Sequence, residues 1–153
     1  MTERKNDTLI YKGLGFPIKL IGVPMKKMFG DWVMDIDMTE LQIVVLKALV
    51  GKPAQLTKAE LKFIRHFLEL TTTEFGKVFG VTHSAVVQWE NGKRNLSPSI
   101  ELCIRLHVMN HLHVKDREFR NLYNNISIEK LSQNSNKHIH LIAVNATEDL
   151  RIA

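Results

Sequence analysis

Only one cysteine, Cys103, occurs in the 153 residues of this chain. A single thiol excludes an intramolecular disulfide framework and a zinc site built from cysteines. Long hydrophobic runs are missing too, because no window approaches the ~20 apolar residues that a membrane-spanning helix needs. The first ten residues are charged and polar rather than apolar, which argues against a secretory signal. We therefore expect a compact cytoplasmic protein with no membrane partner.

The chain also lacks a strong excess of one charge, since 21 basic residues face 16 acidic ones. The net charge is +5 and the pI is near 9.4, and the basic residues are spread along the chain without a block. This mild excess favours an anionic partner only slightly. The hydrophobic fraction of 44% and the charged fraction of 24% are those of an ordinary soluble globular protein. They exclude a wholly disordered or fibrous chain.

The N-terminal third is broken by glycines and by Pro17 and Pro24. Short apolar runs at 18–23 and 32–36 predict two strands, with a hairpin turn near 26–30. Residues 39–50 are rich in leucine, valine and alanine, which predicts a helix buried on much of its circumference. Glycine and proline at 51–53 end that helix and indicate a linker.

Four helix starts follow the linker. Two are capping boxes, Thr57 with Glu60 and Thr71 with Glu74. The other two are an N-cap threonine at 82 and an N-cap serine at 97 that precedes a proline. The second of these helices is short and ends at Gly80, a residue that readily adopts a left-handed conformation. Two short helices joined by a tight turn are typical of the helix-turn-helix arrangement, although a simple helical bundle fits the caps equally well.

The third helix, 82–91, carries an unusual outer face. Helical periodicity places Val86 and Trp89 on the inner side. The opposite side carries uncharged polar residues, where an ordinary solvated face would more often carry lysine and glutamate. These residues are Ser84, Gln88 and Asn91, flanked by His83 and Val87. Such side chains can contact base edges in the major groove, and we prefer DNA binding to plain exposure.

Residues 61–94 resemble the lambda-repressor-like, or XRE-type, helix-turn-helix family. The most specific part of the resemblance is the run W-E-N-G-K-R at 89–94. It implies a five-helix domain that binds double-stranded DNA. Two positions depart from the family pattern: Thr72 stands where a glutamine often contacts phosphate, and Gly76 stands where alanine is usual.

The resemblance also implies roles for individual residues. The base contacts would come from the third helix, and the contacts with the DNA backbone would come from the following loop and from two helix starts. The base-contacting set is His83, Ser84 and Gln88 with Val87 beside them, and the backbone-contacting set is Thr72, Thr82, Asn91, Gly92, Lys93 and Arg94. Glu90 falls on the inner side of the helix, where an unpaired carboxylate is costly. The family commonly pairs it with an arginine of the first helix, so we expect an Arg65–Glu90 ion pair.

The N-terminal third is similar in organisation to MqsA-type antitoxins, in which strands precede a helix and an XRE domain. Those antitoxins hold zinc through pairs of cysteines. This part of the chain has no cysteine, so no zinc site is expected.

Other candidate sites have simpler explanations. His107 and His111 have an i, i+4 spacing that can hold a metal, but no third ligand completes the set, so packing or solvation is the preferred explanation. Cys103 falls on an apolar row with Ile100, Ile104 and His107, and we expect it in the core. No nucleophile elbow and no phosphate loop are present. We therefore expect no catalytic residue, metal or cofactor, and no enzyme.

The C-terminal part gives weaker signals. Residues 116–133 show a weak helical period, and the run at 138–144 predicts a strand. A single strand needs a partner, either the N-terminal strands or its copy in a second subunit.

Together these patterns predict a mainly α fold with a small β element. Three segments are expected: strands and a helix at 9–52, the XRE-type domain at 53–114, and a C-terminal extension at 115–153 that could hold a dimerisation strand. The predicted function is a transcriptional regulator, most simply a repressor that binds a pseudo-palindromic operator as a homodimer. Two alternatives remain: an antitoxin that binds a toxin protein and represses its own operon, and an enzyme or small-molecule sensor built on the outer segments.

Overall fold

The fold is mainly α with a small β element, as the sequence predicts. The computed structural model describes residues 2–4, 8–113, 117–118, 120–121 and 141–146. The strands are β1 (Thr2–Arg4), β2 (Thr8–Tyr11), β3 (Ile18–Ile21), β4 (Pro24–Met28), β5 (Asp31–Met34) and β6 (Ile142–Asn145). The helices are α1 (Met38–Val50), α2 (Lys58–Phe67), α3 (Thr72–Phe79), α4 (His83–Glu90) and α5 (Pro98–His111).

The chain divides into two compact units, residues 1–45 with 141–153, and residues 46–140. This division differs from the three segments expected. The boundary falls inside α1, between residues 45 and 46, and not between residues 52 and 53 as expected. The strand β6 belongs to the N-terminal unit, so it is not part of a separate C-terminal extension.

The described residues of the first unit form two three-stranded sheets, ordered β1-β4-β5 and β2-β3-β6. In the second sheet β3 pairs antiparallel with β2 and parallel with β6, with Ile18 opposite Ile142. The alternating side chains of β3 explain its central place, because Ile18 and Leu20 are fully buried, as is Val144 of β6. The C-terminal strand β6 was expected to pair with an N-terminal strand or with its copy in a second subunit. It pairs with β3 of the same chain.

The predicted N-terminal hairpin exists, but between different strands. Residues 24–28 form β4, which the sequence did not predict, and β4 pairs with β5 while β3 lies in the other sheet. The turn consists of Phe29 and Gly30, both with positive φ (52° and 90°). Phe29 is 100% exposed, and Met28 and Trp32 beside it are more than two-fifths exposed. The tip of this hairpin is therefore an apolar projection.

The second unit confirms the four predicted helix starts. The side chains of Thr57 and Thr71 accept hydrogen bonds in complete capping boxes, and those of Thr82 and Ser97 accept from the amide three residues on. Gly80 ends α3 in the left-handed conformation, with φ of 68°. The described part of 53–114 holds four helices, α2 to α5, rather than the five that the family resemblance implies.

The predicted core row of α5 is correct for Ile104, which is fully buried, but wrong for Cys103. Cys103 is exposed, and the buried face consists of Glu101, Ile104, Arg105, Val108 and Met109. The helix is thus rotated by about one residue relative to its apolar row, or ~100°. The reason is that both oxygens of Glu101 and both Nη atoms of Arg105 have hydrogen-bond partners in the core, which compensates for most of the cost of burying the two charges.

Two predicted C-terminal elements concern residues that are largely outside the described ranges. The predicted helix at 116–133 is one. The predicted strand at 138–144 is the other, and its described part lies in β6. Within the described residues no helix has the length and hydropathy to cross a membrane.

Candidate nucleic-acid interface

The helices α3 and α4 approach each other closely at their connection. The connecting residues are Gly80, Val81 and Thr82, and the Val81 amide donates to the carbonyl of Gly76 at 2.8 Å. A Cβ atom at position 76 would lie 2.6 Å from the carbonyl oxygen of Val81. Glycine at this position is therefore a packing requirement of this chain, and even alanine would push the two helices apart.

The inner face of α4 is apolar and buried. Ala85, Val86 and Trp89 form this face, and Phe75 on α3 is fully buried. Side chains at three- and four-residue spacing share one helix face, so these residues bury a continuous stripe. The opposite face of α4 is left to solvent.

Arg65 and Glu90 form the expected ion pair. Nε of Arg65 lies 2.9 Å from Oε1 and 3.2 Å from Oε2 of Glu90, and Nη2 lies 2.9 Å from Oε1. Nη1 of Arg65 also donates to the carbonyl of Leu70 at 2.9 Å. The two charged side chains are only 12% and 10% exposed. A single arginine of α2 thus fixes the last residue of α4 and the chain that leads into α3.

The residues expected to contact bases lie together on the outer face of α4. His83, Ser84 and Gln88 are exposed, and Val87 is 37% exposed. Their spacing places them on adjacent turns of one face. The residues expected at helix starts are nearby in sequence: Thr82 is the N-cap of α4, and Thr72, the first residue of α3, is half-buried.

Thr72 contacts the outer face directly. Its hydroxyl lies 2.7 Å from Nδ1 of His83. This contact links the first residues of α3 and α4. Since one ring nitrogen of His83 is engaged, Nε2 is the nitrogen left for an external partner.

The loop after α4 is folded back onto the helix. The amides of Lys93 and Arg94 both donate to the carbonyl of Gln88, at 2.9 and 3.2 Å. The side chain of Asn91 accepts from the Lys93 amide at 3.1 Å, and Gly92 has φ of 78°. The backbone amides of residues 93 and 94 are thus engaged, so any contact of these residues with an anion must come from their exposed side chains.

Searches with this chain against protein-family models, curated proteins and solved structures return no match. The assignment of a role to this surface therefore depends on its own geometry and on the sequence resemblance.

The histidines of α5 pack against aromatic rings. The ring centroid of His107 is 5.4 Å from that of Phe79, and the centroid of His111 is 6.1 Å from that of Phe67, both in edge-on geometry. No cluster of three or more histidine, cysteine, aspartate or glutamate side chains that could hold a metal is found within the described part of the chain.

A buried polar network that was not predicted from the sequence joins α5 to the residues before α2. Arg105 is fully buried and donates to the carbonyls of Val50, Lys52 and Ala54 at 2.6 to 2.9 Å. It also donates to Glu101, whose other oxygen accepts from the Leu56 amide at 2.7 Å. The signal in the sequence was the i, i+4 spacing of these two opposite charges within an apolar helix.

Burial dominates the ionisation of this pair. It raises the pKa of Glu101, and the neighbouring Arg105 charge opposes this only in part. Burial likewise lowers the pKa of Arg105 while Glu101 opposes the change. A second ion pair, between Lys52 and Glu60 at 2.6 Å, is also buried. These contacts fix the linker before α2, and they hold it against α5.

Proposed function

We propose that this chain is a sequence-specific regulator that binds double-stranded DNA through a lambda-repressor-like helix-turn-helix. In this proposal α3 and α4 form the motif, and α4 enters the major groove. The observation that carries the proposal is the outer face of α4, which is exposed and uncharged while its inner face is fixed by packing and by the Arg65–Glu90 pair.

The outer face has the chemistry that base recognition needs. A glutamine side chain can pair with adenine through two hydrogen bonds, and serine and histidine can contact several bases. Gln88 is in the middle of this face, with Ser84 one turn before it. Because the ends of α4 are fixed by Thr82 and Glu90, these groups would be presented with little loss of freedom on binding.

Contacts with phosphates would come from the rim of the same surface. Lys93 and Arg94 are exposed, and in the described residues neither takes part in a salt bridge. The N-terminus of α4 adds a positive dipole end. Such contacts set the register of the protein on DNA, while the outer face selects the sequence.

A homodimer is part of the proposal. One short helix contacts too few base pairs for useful specificity, and a two-fold pair of helices one DNA turn apart multiplies it. Light scattering of the full chain at micromolar concentration should give a dimer mass, either alone or with DNA. A monomer in both conditions would remove the pseudo-palindrome from the proposal.

The decisive experiment is selection of bound duplexes from a random pool, followed by sequencing. We expect enrichment of one motif, with two related half-sites separated by about one helical turn. Binding of all sequences with equal affinity, or of none, would overturn the proposed function. Repression is then tested with a reporter gene placed behind the selected site.

The β4–β5 hairpin favours a second candidate function, an antitoxin. Phe29 is fully exposed and strained at the tip, and aromatic residues are enriched at the centres of protein interfaces. A protein partner encoded beside this gene would be the toxin. Co-expression of the two proteins should yield a complex, and Phe29→Asn should weaken this complex while DNA binding is retained. If no complex forms, the antitoxin function is rejected and only the first candidate function remains.

A further inference from the structure

One apolar side chain stands within the outer face of α4. Val87 is 37% exposed, and helical spacing places it beside Ser84 and Asn91, both exposed polar residues. The inner face does not need Val87, because buried residues already fill it. Val87 is therefore available to contact a partner that binds the outer face.

Valine is a poor helix former at a position open to solvent, because its branched Cβ restricts χ1. The same restriction helps in binding, since a side chain with few rotamers loses little entropy when it is covered. Val87 is thus a rigid pair of methyl groups held on a helix whose two ends are fixed by Thr82 and Glu90.

The major groove offers one apolar group for such a side chain. This group is the C5 methyl of thymine, which projects from the base edge and distinguishes thymine from the other bases. The next residue in the sequence, Gln88, is also exposed and has the amide that suits adenine. A polar face with one rigid apolar position therefore matches a base step that contains A·T pairs.

We propose that Val87 determines specificity for a thymine by packing against its C5 methyl group, next to the base pair contacted by Gln88. This inference rests on the proposed function, because it assigns a base to the same surface. It adds a prediction that DNA binding alone does not make: removal of one methyl group from the DNA should lower the affinity only when valine is present at position 87.

The test uses the full chain and the duplex obtained by selection from the random pool. Each thymine is replaced in turn by deoxyuridine, which keeps the base pair and lacks only the C5 methyl. At one thymine in each half-site the dissociation constant should rise about three- to fivefold, the value expected for one buried methyl group. Val87→Ala should bind the thymine and uridine duplexes equally well.

Two further variants act as controls. Val78, on α3, is 45% exposed, and Val78→Ala should keep the full sensitivity to uridine. Val87→Thr keeps the shape of valine with one methyl group replaced by a hydroxyl, and it should have reduced sensitivity. Melting temperatures near that of the wild type would show that each variant is folded.

The outcomes separate this inference from the proposed function. If a motif is selected but no thymine methyl affects binding, or if Val87→Ala remains as sensitive as the wild type, the inference is overturned and the proposed function stands. If the pool yields no bound DNA, both are overturned.

Discussion

The hydroxyl of Thr72 lies 2.7 Å from Nδ1 of His83, which joins the first turn of α3 to the first turn of α4. The proposed helix-turn-helix consists of these two helices. The threonine side chain is short, and the imidazole of His83 reaches back to it from α4. The side chains of Thr72 and His83 therefore connect the two helices at their N-terminal ends.

Removal of this hydroxyl should affect DNA binding without unfolding the protein. Thr72→Val keeps the shape of the side chain but frees the His83 ring, so we expect about a twofold to tenfold weaker binding to the selected duplex, the worth of one hydrogen bond. Thr72→Ser should restore most of the affinity, and Thr73→Val, at the next and exposed residue of α3, should have no effect. Equal affinities for Thr72→Val and wild type would show that the contact does not serve binding.

Gln88 and Lys93 should contribute to binding in different ways. Gln88→Ala should cost about 1–3 kcal/mol on the selected duplex and relax the preference at one base pair. Lys93→Ala should weaken binding to all sequences alike and reduce the slope of affinity against salt by about one. Titrations of cognate and random duplexes at several salt concentrations measure both. An unchanged ratio of cognate to random binding in Gln88→Ala would contradict the assignment of the outer face.

The Arg65–Glu90 pair should matter for stability. Arg65→Met leaves the Glu90 carboxylate nearly buried and without its partner, so we expect the free energy of unfolding to fall by about 3–5 kcal/mol. Glu90→Gln should cost less, because the amide still accepts a hydrogen bond from the arginine. Urea unfolding of both, with exposed Lys62→Met on α2 as a control, makes the comparison. If all three variants unfold at the same urea concentration, the Arg65–Glu90 pair does not contribute to stability.

The raised pKa of Glu101 predicts a pH dependence of stability. Its ordinary pKa is 4.5, and burial raises it in the folded state, so the folded protein holds the proton more tightly than the unfolded chain. The contribution of this group to the free energy of unfolding is complete below 4.5 and is lost as pH rises through the folded value. Glu101→Gln cannot titrate, so its stability should fall less over this interval. Urea unfolding of both proteins from pH 4 to 8 tests this, and parallel curves would refute it.

The strained turn at Phe29 offers a stabilising substitution. A side chain other than glycine, asparagine or aspartate is disfavoured at positive φ, by about 1 kcal/mol, and this phenylalanine is fully exposed. Phe29→Asn should therefore raise the free energy of unfolding by roughly that amount, since asparagine suits such two-residue turns. Phe29→Ala removes the same apolar surface but not the strain, so it should give little gain. An equal gain from both would attribute the effect to the lost apolar surface.

Local features were predicted well from sequence. The N-caps at Thr57, Thr71, Thr82 and Ser97, and the left-handed Gly80, depend on a few neighbouring residues, so their patterns can be recognised without the rest of the fold. The outer face of α4 was found in the same way, from helical periodicity. What these exposed residues bind stays a prediction.

Features that depend on distant residues were missed or misplaced. The buried face of α5 is shifted because the Arg105 guanidinium binds carbonyls more than fifty residues earlier, which no periodicity reveals. The strand β4 was missed because the short run 24–28 begins with proline and carries two lysines, and its pairing with β1 and β5 could not be anticipated. The sequence of one segment does not reveal which distant backbone groups will pair with it.

Because β3 pairs with β6, the sheet that contains β3 can be completed only late in synthesis. Ile18 emerges from the ribosome long before its partner Ile142, whereas every residue of the helical unit at 46–140 is made before β6. The nascent chain can therefore fold its helices while one edge of β3 still lacks its neighbour, and an unpaired edge is a site for aggregation. A chain that terminates before residue 142 would keep that edge open for its whole lifetime, so quality control should remove truncated products faster than the full-length protein even when their helices are native.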